Sequence, residues 1–171
     1  MHKLIGIIVH AEDEKEALTR ANYALDELTK GERPFDGYST LDDEQIRDMW
    51  DLSPVMLASS PEGKHFIEKG WEITVEGLTE ALEHVKLAIQ HLSPQEIMER
   101  RYPEDLPEDI RKKIDVPYIR EYFDDLSDRP GYRKFLYQEY GGPILNNEDL
   151  EFALEPKEGL NVYVVPADVH C

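Results

Sequence analysis

Six nearly unbroken apolar residues, Leu4-Ile5-Gly6-Ile7-Ile8-Val9, open this chain and run straight into His10-Ala11-Glu12-Asp13. A strand with one face in water alternates apolar and polar side chains, whereas a run that is mostly β-branched and apolar throughout needs cover on both faces. The segment therefore reads as the middle strand of a sheet. The rest of the chain must pair with it or pack on it.

The next stretch supplies a first cover. Asp13-Glu14-Lys15-Glu16 has the form of a capping box, an acceptor at the N-cap with a glutamate three residues on. Ala17, Leu18, Ala21, Leu25 and Leu28 then recur at helical spacing, and Gly31 stands where a C-terminal glycine cap belongs. A strand followed by an amphipathic helix opens a βα unit. Past Glu32-Arg33-Pro34, the segment Phe35–Leu41 reads as a second strand and Asp42–Asp51 as a short acidic helix, while Val55–Ala58 is too short to assign.

Ser60-Pro61-Glu62 is a helix start, with serine at the cap and proline at the first helical position. From there Ile67, Trp71, Val75, Leu78, Leu82, Val85, Ile89 and Leu92 alternate by fours and threes. The spacing predicts one long helix, or two joined near Gly70, whose stripe packs within the chain or forms a seam with a second copy. Flanking Gly77, Ala81 and Ala88 widen the face and favour packing within the chain. Ser93-Pro94-Gln95-Glu96 restarts a helix, and the tandem Pro103-Glu104-Asp105-Leu106 and Pro107-Glu108-Asp109-Ile110 forms an acidic connector. Asp115–Asp125 and Pro130–Tyr140 read as two short helices, with a run of tyrosines suited to an interface. Asn147 is placed as the cap of a helix through Leu154, and Asn161–Val165 is a second clear strand leading into Pro166-Ala167-Asp168-Val169-His170-Cys171. The expected fold is α+β: a small sheet pairing the first and last strands, opened by a βα unit, with residues 42–155 a mostly helical insertion in one domain of 171 residues.

Charge narrows the function. With 37 acidic and 19 basic residues the net charge is −18, a field that repels nucleic-acid phosphates and anionic membranes. It suits solubility, a cation or basic protein partner, or mimicry of nucleic acid by a protein inhibitor. The single cysteine, Cys171, allows no disulfide within the chain and points to a reducing, cytoplasmic setting. The opening apolar run is too short to span a membrane and lacks a cleavage site after it. Phosphate loops are missing, and Glu12, Asp13, Glu14 and Glu16 crowd the helix start where a phosphate would sit. Neither a serine-nucleophile elbow nor a twelve-residue calcium loop is present.

One constellation is left. His10 follows the first strand, and Asp168 and His170, two apart and so on one face of extended chain, follow the last. If the two strands are parallel neighbours, Asp168 and His170 lie roughly 7 to 13 Å beyond His10, at ~3.3 Å per residue, and a bend at Pro166 gathers all three. Two imidazoles and a carboxylate are a first shell for zinc or another divalent metal. Antiparallel strands would send His10 to the Asn161 end and dissolve the group. Asp36 and Tyr38 on the second strand are further candidates for the same rim. The leading expectation is a non-catalytic protein-binding or regulatory module, self-associating or meeting a protein partner, with a divalent-metal protein or metal-dependent enzyme as the alternative.

Overall fold

The computed structural model describes residues 2–30, 35–42, 44–99, 101–114, 119 and 134–170. In chain order the elements begin with β1 (His2–Ala11), α1 (Glu14–Thr29), β2 (Gly37–Thr40), α2 (Glu44–Trp50) and β3 (Met56–Leu57). They continue with α3 (Pro61–His91), α4 (Pro94–Glu99), α5 (Glu108–Arg111), β4 (Leu136–Gln138), α6 (Asn147–Leu154) and β5 (Asn161–His170). Two compact units result, Met1–Thr74 with Lys134–Cys171, and Val75–Arg133.

In the first unit β1 lies between β5 and β4, pairing antiparallel with β5 from His2↔His170 to Ala11↔Asn161 and parallel with β4. Both short strands β2 and β3 pair with the far side of β5. The sheet is α+β in character, and the first and last strands are neighbours as the sequence implied. The apolar run of β1 is explained by its two covers. Ile5, Ile7, Val9 and Ala11 join Val165, Ala167 and Val169 under Ala17, Ala21, Ala24, Leu25 and Leu28 of α1. Ile8 and Val164 face the other way, against Phe66 and Ile67 of α3, Ala153 of α6, and Phe135, Leu136 and Ile144. Each buried Val, Leu, Ile or Phe side chain among them contributes ~1.5–3 kcal/mol by leaving water.

Local signals set the helices. Asp13 caps α1 by accepting from the Glu16 amide at 2.8 Å, and Asn146, one residue before the expected cap, does the same for Asp149 in α6. Gly31 lies outside the described residues. Ser60 caps α3 through the Gly63 amide at 3.0 Å. The helix runs unbroken past Gly70, where the ring of Phe135 fills the space a side chain would take, its Cε1 2.8 Å from an ideal Cβ.

The stretch 130–140, expected as a helix, is described from Lys134 on and there forms strand β4 at Leu136–Gln138, followed by a turn. Parallel β4 fills the open side of β1, with the Gly6 amide donating to the Phe135 carbonyl at 2.8 Å. Leu136 and Tyr137 are fully buried there, so tertiary pairing overrides the helical spacing of the aromatics. The predicted helix 115–125 lies outside the described residues, apart from buried Ile119. β5 also runs further than its sequence indicated, through Pro166. On one side Pro166 pairs with Gly6. On the other, β3 pairs up to Val164 and β2 starts at Ala167, so no edge-strand residue stands against the missing amide.

The second unit packs Ala81, Val85, Ala88 and Leu92 of α3 with Ile114 and Ile119, flanked by Ile97, Tyr102, Leu106 and Ile110. The buried face follows the small alanines rather than the whole predicted stripe. Val75, Leu82 and Ile89, seven residues apart, are left exposed.

Candidate functional site

The antiparallel register decides which polar groups meet. His10 pairs with Val162, whereas His170 pairs with His2 at the opposite end of the strands. The expected partner His10 is thus removed from the cluster by about 27 Å, eight residues at ~3.4 Å each. Asp168 and His170 do share a face, and His2 takes the vacant place. His2 Nδ1 lies 2.6 Å from Asp168 Oδ2, and His170 Nε2 lies 3.8 Å from the same oxygen. The two imidazoles meet edge-on with centroids 4.3 Å apart. One donor atom from each residue falls within 4.8 Å of the others.

Burial gives this group its chemistry. Asp168 is fully buried while the side chains of His2 and His170 are 50% and 46% exposed. Asp168 Oδ1 is shielded and has no hydrogen-bond partner among the described residues. A carboxylate taken out of water calls for a positive charge beside it, from an imidazolium or a bound cation. Ligands at ~2.1 Å around a tetrahedral ion stand about 3.4 Å apart. The two nitrogen–oxygen separations bracket that value, and all three donor atoms lie within 4.8 Å of one another, so the residues fit a cation once the closest pair opens and the others draw in. His2 is hard to single out from sequence because the orientation of the strands is not written in either strand. Only sliding them together antiparallel sets residue 2 against residue 170.

The remaining candidates lie elsewhere. The Asp36 side chain is exposed, and its backbone amide donates to the His170 carbonyl at 2.7 Å. Tyr38 pairs with Val169 and so faces α1, opposite to Asp168; the residue registered with Asp168 is Ser39. The Tyr38 hydroxyl donates to Asp26 Oδ1 at 2.8 Å, and burial together with this bond pushes the phenol up to about 12.

A family model described as a domain of unknown function, DUF7995, matches residues 1–171. The chain belongs to that family. No curated protein and no solved structure matched this DUF7995 chain. Among its described residues no helix is long and apolar enough to cross a membrane.

His10 of this DUF7995 protein sits in a second polar group, centred on Glu139. The His10 ring is buried, with Nε2 2.8 Å from the Glu155 carbonyl, to which it donates, and Nδ1 4.0 Å from Glu139 Oε1. Glu139 also meets Lys157 at 3.2 Å and Arg20 at 3.6 Å, and accepts from the His10 amide at 3.4 Å. Burial raises the Glu139 carboxyl, but the hydrogen bonds from Lys157 and the His10 amide, with the charges of Lys157 and His10, offset it and hold the group below its ordinary value. A carboxyl depressed by folding stabilises the fold above its unfolded pKa, and that contribution is lost as pH falls through the folded value. Glu139→Gln is therefore expected to be less stable than the parent DUF7995 chain at pH 7. The gap should close as acid protonates Glu139, a trend that urea midpoints from pH 7 down to pH 3 would reveal; a gap independent of pH would refute it.

Proposed function

We propose that this protein binds a divalent transition-metal cation, zinc foremost, through His2, Asp168 and His170. The observation that carries the reading is the fully buried Asp168, with one oxygen unpartnered among the described residues and two half-exposed imidazoles beside it. Nitrogen and oxygen donors of this kind suit zinc, copper or iron more than magnesium or calcium. Three protein ligands leave a further position for water or a substrate, the open arrangement of catalytic rather than structural zinc. Within that arrangement Asp168 supplies the charge and the histidines close the site from the solvent side.

Metal analysis of untagged protein, with thermal melts in zinc and in manganese, tests this. Saturation at 100 times the dissociation constant is expected to stabilise the fold by about 2.7 kcal/mol, and Asp168→Asn should abolish the effect. An empty site with an unmoved melting temperature would end the proposal.

A protein partner is a second reading, supported by the exposed row Val75, Leu82 and Ile89 on α3 in the second unit, 43%, 57% and 65% accessible. Light scattering coupled to size exclusion tests self-association through it. A monomer unaffected by Leu82→Glu would count against a seam between copies. The single cysteine supports a reducing, cytoplasmic setting.

A further inference from the structure

Leu4 stands cross-strand from Asp168, and on that face of the sheet begins a cleft of about 510 Å³. Its walls are apolar: Leu4, Leu52, Phe66, Ile73 and Phe135, with Trp50 beside them. The indole N–H of Trp50 is shielded and has no acceptor among the described residues. Lys3, Lys69 and His65 line the cleft as well, and among the described residues Glu62 is its one acidic residue. Glu62 is held elsewhere, accepting from the Ser53 amide at 3.2 Å and the Ser53 hydroxyl at 2.9 Å. In a chain of net charge −18 this lining carries more basic than acidic side chains among the described residues.

We infer that this cleft binds a small amphipathic anion, its apolar body against Leu4, Phe66 and Phe135 and its carboxylate at Lys3 and Lys69. The volume falls in the range of small-molecule sites, which pair apolar walls with a few placed polar groups. Lys69 meets Glu72 at 3.0 Å, but both side chains are about 60% exposed, and such pairs hold weakly enough for an incoming carboxylate to compete. The Lys3 ammonium donates to the Lys134 carbonyl at 3.1 Å, a contact that holds it beside Phe135 at the cleft wall. A larger cleft of about 710 Å³, between Leu57, Trp71 and Leu154, carries Lys64 and Glu68 together and so has no such bias. The inference is independent of metal at the neighbouring cluster.

Isothermal titration of the full-length chain with decanoate and with decanol tests it. Decanoate is expected to bind one to one, and decanol at least tenfold more weakly. The pair Lys3→Gln and Lys69→Gln should weaken decanoate tenfold or more and leave decanol unchanged. Quenching or enhancement of Trp50 emission in a Trp71→Phe background should follow the same isotherm. Titration in the presence of a chelator should give the parent affinity. No saturable heat with decanoate, equal affinity for decanol, or indifference to the lysine pair would overturn the inference. Loss of decanoate binding on chelation would also overturn it, by placing the carboxylate on a metal instead of on the lysines.

Discussion

Alanine in place of Gly63 is expected to destabilise the sheet unit by about 2 kcal/mol or more, although alanine is the better helix former. Gly63 lies in the first turn of α3, where the helix crosses the backbone of β3. An ideal Cβ there would overlap the Leu57 carbonyl oxygen, and it would stand 2.9 Å from the carbonyl carbon and 3.1 Å from Ala58 Cα. These are backbone atoms and they are pinned. Met56 and Leu57 pair with Val164 and Tyr163, and the Ala58 amide donates to the Val162 carbonyl at 2.9 Å. The gain from replacing a helical glycine is ~1 kcal/mol, less than the cost of pushing a helix off a hydrogen-bonded strand. Both tryptophans, Trp50 and Trp71, belong to the sheet unit, so urea unfolding followed by their fluorescence reads that unit. Gly142, with nothing within 4 Å of an ideal Cβ, is the control and should tolerate alanine. A Gly63→Ala protein as stable as the parent would refute the close approach of α3 to β3.

Ile7→Ala is expected to cost about 2–5 kcal/mol, the sum of lost burial and of the cavity left behind. Ile7 has no exposed surface, and it lies in the cluster that joins β1 and β5 to α1, with Val9 and Val165 beside it. Strands on both sides hold its backbone through Val165 and Tyr137, so the sheet has little freedom to collapse into the cavity. Met98→Ala offers the contrast. That side chain is 85% exposed, and its loss should change stability by no more than about 0.5 kcal/mol. Comparable effects at the two positions in calorimetry would contradict the assignment of inside and outside.

What was legible in the chain was what is local. The burial of β1 follows from its unbroken apolar run, and α1 from a cap and a period that lie within sixteen residues. β5 was legible as far as Val165, because Pro166 signals a stop unless the gap between β2 and β3 is known. β4 reads as helix from its aromatic spacing, and only the open side of β1 makes it a strand. The candidate site was half legible for the same reason. Asp168 and His170 share a face by strand alternation alone, whereas the choice between His10 and His2 depends on strand direction. That direction is set by a path of about 150 residues between Ala11 and Asn161, which no neighbouring residues encode.

The placing of the short strands has one more consequence. Two ten-residue strands of mostly apolar residues would, if uncovered, template the addition of strands from other molecules. Here the outer side of β5 is divided between a four-residue and a two-residue strand. On the opposite flank, the amides of Gln138 and Ile144 bond across to Gly142 and Leu136, folding the chain through Pro143 back over β4. Among the described residues the sheet therefore ends in short, interrupted borders, with the long pair that holds it together set between them.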